Sequence, residues 1–126
     1  MLWYSFLEKR GGYIKKLINW SLLNDGKIII NNENIECEFE ANKFIKYQED
    51  KNTFNLINLK EESYLRENDE FIFKIDFKNK LFNYILKEND FLVEDKISCS
   101  MLLKNSTIVL KYKIDEEEKK IIIQIL

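Results

Sequence analysis

Between Glu70 and Leu126 the chain alternates apolar and polar residues almost without a break. Phe71, Phe73, Ile75 and Phe77 share one phase, as do Phe82, Tyr84 and Leu86. Ile108, Leu110, Tyr112 and Ile114 share another, followed by Ile121, Ile123 and Ile125. A period of two puts successive side chains on opposite faces of a strand, whereas a helix would need a period of 3.6. Polar breaks at Lys78-Asn79, Glu88-Asn89-Asp90, Lys104-Asn105 and Asp115-Glu116-Glu117 separate the runs. Such breaks are too short for helical crossovers, so neighbouring strands must be antiparallel.

The same reading extends towards the N-terminus. Asn24-Asp25-Gly26 is a turn in which glycine supplies positive φ. It leads into Lys27–Ile30, a second turn at Asn31-Asn32-Glu33, and the alternating run 34–40. There Ile35, Cys37 and Phe39 face one way and Glu36, Glu38 and Glu40 the other. Runs at 43–48 and 53–59 follow, and 60–67 fits either a helical turn or a strand. The count predicts an all-β fold, a single antiparallel up-and-down barrel of about eight to nine strands. Closure removes the two edges that an open sheet must protect, and a barrel this size can be filled or can hold one small ligand.

Residues 1–23 form an N-terminal amphipathic segment ahead of the barrel domain at 24–126. After Gly11-Gly12, the spacing of Tyr13, Leu17 and Trp20, with Lys15, Lys16 and Asn19 opposite, predicts a short helix covering one end of the sheet. A strand also fits the β-branched residues there.

The run from Phe91 to Leu103 is long for one strand and carries Asp95 on its apolar phase. A bulge near Glu94-Asp95-Lys96 would bend it and re-aim that carboxylate.

Catalytic chemistry has few candidates. The chain has 126 residues, no histidine and a formal net charge of -2, with glycine only at 11, 12 and 26. Ser-His-Asp and Cys-His catalysis, imidazole metal ligation and a phosphate-cradling loop are therefore excluded. We expect no enzyme activity, no cofactor and no metal. Glu36, Glu38 and Glu40 lie on one strand face, too far apart to share an ion. Cys37 and Cys99 fall on apolar phases and read as small buried hydrophobes. Lys74, Lys111 and Lys113 alternate with the aromatic phase, which argues against a nucleic-acid surface. No apolar run is long enough for a membrane helix and no leader pattern is visible, so a reduced, cytoplasmic protein is expected.

What is left is an aromatic wall with few polar groups. Asp95, Tyr84 and Tyr112 share its phase, and Arg66 sits near a rim. Those four residues are the predicted ligand-binding set for a small apolar or amphipathic molecule in the interior. A filled core would instead suit a protein-interaction module or homodimer, using a strand edge or the Leu2-Trp3-Tyr4-Phe6 patch. An acidic inhibitor presenting Glu36, Glu38 and Glu40 is the remaining alternative.

Three motifs carry a family resemblance: Tyr64-Leu65-Arg66-Glu67 before a polar turn, Tyr84-Ile85-Leu86-Lys87-Glu88 closing a hairpin, and Ile108–Ile114 followed by acidic residues and a last strand. Over residues 27–126 the chain resembles the YwiB-like family of small calycin-type β-barrel proteins of low-GC Gram-positive bacteria and mollicutes. The resemblance implies a lipocalin-like barrel. It implies no activity, so no functional residue carries over.

Overall fold

The computed structural model describes residues 14–126. The Leu2-Trp3-Tyr4-Phe6 patch and the Gly11-Gly12 break lie outside the described residues. Those described build eleven strands and no helix: β1 Ile14–Asn24, β2 Lys27–Glu40, β3 Phe44–Gln48, β4 Phe54–Asn58, β5 Ser63–Glu67, β6 Phe71–Asp76, β7 Leu81–Leu86, β8 Phe91–Lys96, β9 Cys99–Lys104, β10 Thr107–Ile114 and β11 Glu117–Ile125. All form one antiparallel sheet in the order β8-β7-β6-β5-β4-β3-β2-β1-β11-β10-β9. Every sequential pair except β8 and β9 is a hairpin, and β1 pairs with β11 to join the two ends of the chain.

The sheet curls into a half-barrel because its inner face is apolar. Ile18, Trp20, Ile45, Tyr47, Ile57, Ile75, Ile108, Leu110, Ile121 and Ile123 are all buried in one cluster. Removing that face from water drives the curl. Phe73 on β6 meets Tyr112 on β10 at 5.6 Å between ring centroids, so strands far apart in the ladder touch across the interior.

Turn chemistry sets the register. Asp25 and Gly26, with φ of 49° and 81°, close β1 onto β2. Asp115 and Glu116, with φ of 52° and 67°, close β10 onto β11. Two left-handed residues in a two-residue loop match the twist of the flanking strands. The longer turns place Asn42, Glu62, Lys80 and Asp90 at positive φ.

Three expectations are corrected. The helix predicted after Gly11-Gly12 is a strand over its described part: β1 lies inside the sheet, flanked by β2 and β11. Two ladders outweigh the helical spacing, since a helix of three turns is marginal by itself. Lys16, which breaks the strand's apolar phase, places its ammonium 5.8 Å from the Phe39 ring centroid. The turn at Asn31-Asn32-Glu33 is absent; β2 runs unbroken through it. A bulge absorbs the irregularity there: Asn34 takes φ 56°, and its N–H donates to Asn19 Oδ1 at 2.9 Å. The strand count rises from eight or nine to eleven, because β1 joins the sheet, 63–67 is β5, and the run from Phe91 divides into β8 and β9. Its break falls at Ile97-Ser98 rather than at Glu94–Lys96.

Candidate functional site

That break makes the seam of the half-barrel. β8 and β9 are the two edges of the sheet, yet only Ile97 and Ser98 separate them in sequence. Ile97 N–H donates to the Lys80 carbonyl at 3.0 Å, and Lys113 N–H donates to the Ser98 carbonyl at 3.0 Å. The chain therefore leaves the ladder of β7 and enters that of β10 at consecutive residues. Lys80 Nζ donates to the Cys99 carbonyl at 2.6 Å and ties the β6–β7 turn to the start of β9.

Beside this crossing lies a cleft of about 460 Å³. Phe82, Val93, Ile97 and Ile114 form its apolar lining, with Asp95, Lys96, Ser98, Lys113, Asp115 and Glu116 around them. Asp95 is directly opposite Phe82 and Val93 directly opposite Tyr84, so both point to the inner face. Asp95 Oδ1 accepts from the Lys96 N–H at 2.8 Å, and the carboxylate has no ion pair among the described residues. The inward acid is not buried, because β8 has no neighbouring strand on its free side among the described residues and all six of its residues are exposed. That exposure removes the desolvation cost that a carboxylate on the apolar phase would otherwise carry.

The other predicted ligand residues group around Phe73. Phe73 lies opposite Arg66 on β5 and opposite Tyr84 on β7. Its ring is 5.1 Å from Phe82, 6.1 Å from Tyr64 and 5.6 Å from Tyr112. Tyr84 stacks on Phe71 at 5.7 Å. Burial pushes the Tyr112 phenol up to about 12. These ring contacts fill the middle of the inner face. Asp95 alone of the predicted set lines the seam cleft.

Arg66 has a partner that sequence reasoning missed. Its Nε and Nη2 donate to Glu49 Oε1 and Oε2 at 2.9 and 2.6 Å, and its guanidinium lies 5.5 Å from the Phe71 ring centroid. Asn55 Nδ2 also donates to Glu49 Oε1, and the Tyr64 hydroxyl donates to Asn55 Oδ1. Asn55 is 1% exposed, and its burial is possible because both ends of its amide are bonded. The signal in the sequence is Asn55 on the phase of Ile57; Glu49 falls in the polar stretch between the runs 43–48 and 53–59.

The three glutamates of β2 are spread among lysines. Lys15 pairs with Glu36 at 3.4 Å, Lys43 pairs with Glu40 at 3.2 Å, and Glu38 stands opposite both Lys15 and Lys46. Among the described residues, no three Cys, Asp or Glu side chains converge as a metal site would require. Cys37 and Cys99 are both buried and free. Burial pushes the Cys37 thiol up to about 11, far from the thiolate that reactivity needs. Comparison with protein-family models, with curated proteins and with solved structures gives no match.

Proposed function

We propose that this is a non-catalytic binding protein of calycin-like type that takes a small amphipathic molecule in the seam cleft. The observation that carries the reading is the cleft itself, an apolar floor of Phe82, Val93, Ile97 and Ile114 with a carboxylate at its side that forms no ion pair among the described residues. A ligand's hydrocarbon part would cover side chains that the curl of the sheet leaves open. Burying about five methylenes yields roughly 4 kcal/mol, so 1-hexanol should bind with a Kd near a millimolar. In an NMR titration, saturable shifts should concentrate on Phe82, Val93, Ile97 and Ile114. Val93→Trp fills the cleft and should abolish them. Shifts of equal size on the exposed Leu102 and Leu103, unaffected by Val93→Trp, would mean non-specific adsorption and sink the reading.

A second reading draws on the edges. Phe91 on β8 is 55% exposed and Leu102 on β9 is 59% exposed, on strands with one free side each. Unpaired apolar edges invite pairing with another strand. Under this reading sedimentation analysis at rising concentration shows association, which Leu102→Lys weakens. A monomer at every concentration counts against self-association.

A further inference from the structure

Resting on that reading, we propose that the head group held in the seam cleft is a compact organic cation, an alkylammonium, seated on Asp95. The cleft contains charges of both signs, but strand alternation sorts them. Lys96 follows Asp95 on β8, and Lys113 lies between Tyr112 and Ile114 on β10, so both lysines belong to the outer phase. Lys113 is further engaged by Glu116 at 3.7 Å. The inner phase of the two strands flanking the cleft is left with Val93, Asp95 and Ile114, facing Phe82 across the β7–β8 ladder. A ligand entering from the inner side therefore meets Asp95, Phe82 and the aliphatic walls first, with Lys96 and Lys113 lining the outer side of the cleft. Asp115 in the adjoining turn adds a second negative charge at the same mouth.

That set fits an ammonium with an alkyl chain. The cation gains the carboxylate beside Phe82, while the alkyl chain covers Val93, Ile97 and Ile114. An alkylcarboxylate of equal length gains the same apolar contact and meets repulsion from Asp95 and Asp115. The protein already sets cations beside aromatic rings, at Lys16 over Phe39 and Arg66 over Phe71.

The test compares hexylammonium, 1-hexanol and hexanoate by NMR titration against the unmodified chain and Asp95→Asn. The amide oxygen of Asn can still accept from the Lys96 N–H, and Asp95 is exposed, so this variant should fold. Hexylammonium should bind the unmodified chain about tenfold tighter than 1-hexanol, and hexanoate about tenfold weaker. Asp95→Asn should bring hexylammonium down to the level of 1-hexanol and leave 1-hexanol unchanged. Added salt should weaken the cation alone. If 1-hexanol binds and hexylammonium gains nothing over it, the cation assignment is overturned while the cleft stands. If the cation's advantage survives in Asp95→Asn, Asp95 is not its seat and the assignment is again overturned. If none of the three binds, the cleft reading itself falls, and this inference with it.

Discussion

Between pH 10 and 12 the protein should unfold cooperatively, because its inner face holds phenols that cannot ionise in place. Burial raises Tyr47 and Tyr64 well above the ordinary tyrosine value and Tyr112 to about 12. Tyr64 also needs its proton to donate to Asn55 Oδ1. A folded-state value above the unfolded one means that the unfolded chain releases the proton first. Stability from these groups is therefore complete below the unfolded value near 10 and falls as pH rises through it. For Tyr112 the loss levels off at about 12; Tyr47 and Tyr64, raised by burial, lose stability in the same direction. Cys37 adds a loss that begins near 9 and levels off near about 11. Each group removes about 1.4 kcal/mol per pH unit, so the three tyrosines together remove about 4 kcal/mol per unit above pH 10. Against a domain stability of roughly 5–15 kcal/mol, the loss of about 8 kcal/mol over the two units from pH 10 to 12, with the Cys37 loss added, unfolds a domain of low to middle stability inside that window. Absorbance at 295 nm and far-ultraviolet circular dichroism followed together are the measurement. The three buried phenols should stay silent until the dichroism collapses and then ionise with it. Tyr112→Phe should make the decline in stability shallower by about 1.4 kcal/mol per unit. Smooth ionisation of all tyrosines with the sheet intact would contradict the burial.

Those tyrosines also show how much was legible beforehand. Tyr112 lies in the strict alternation of 107–114, and the hairpins from β6 onward follow from period two and their turn residues alone. Alternation reports which face a side chain takes, and it does so for Asp95 opposite Phe82. It does not report how many ladders a strand joins. β1 shows the cost: its helical spacing and its strand phase both fit the residues, and only the partners β2 and β11 decide between them. The run from Phe91 shows another limit. Its length marked something unusual, but whether a long run bends or changes partner depends on where Lys80 and Lys113 sit, which is tertiary information. Of the candidate site, Asp95 and its phase were readable. The cleft beside it was not, since it arises from the mismatch between two edges that are far apart in the ladder.

Arg66, one of the predicted ligand residues, also pairs with Glu49, and its substitution separates folding from binding. Arg66→Ala should lower stability in urea by about 2–4 kcal/mol, more than an exposed ion pair and less than a fully buried one. The range follows from exposure: the Glu49 side chain is 11% exposed and that of Arg66 is 34% exposed, so solvent screens the pair only in part. Removing the guanidinium strands the Glu49 carboxylate beside Asn55 and Tyr64, where its remaining partner is the Asn55 amide. Most of the loss is then the cost of an uncompensated charge rather than the worth of the pair. Glu49→Gln combined with Arg66→Ala keeps an acceptor for Asn55 Nδ2 and leaves no charge behind. The double variant should recover about half of the loss, a coupling that a double-mutant cycle measures directly. A loss under about 1 kcal/mol in Arg66→Ala would place the pair with ordinary surface bridges and refute the burial argument. Because Arg66 does not line the seam cleft, folded Arg66→Ala should bind 1-hexanol and hexylammonium within about twofold of the unmodified chain. A stable Arg66→Ala that had lost the ligand would show Arg66 to be a binding residue and move the site from the seam to the rim at Glu49.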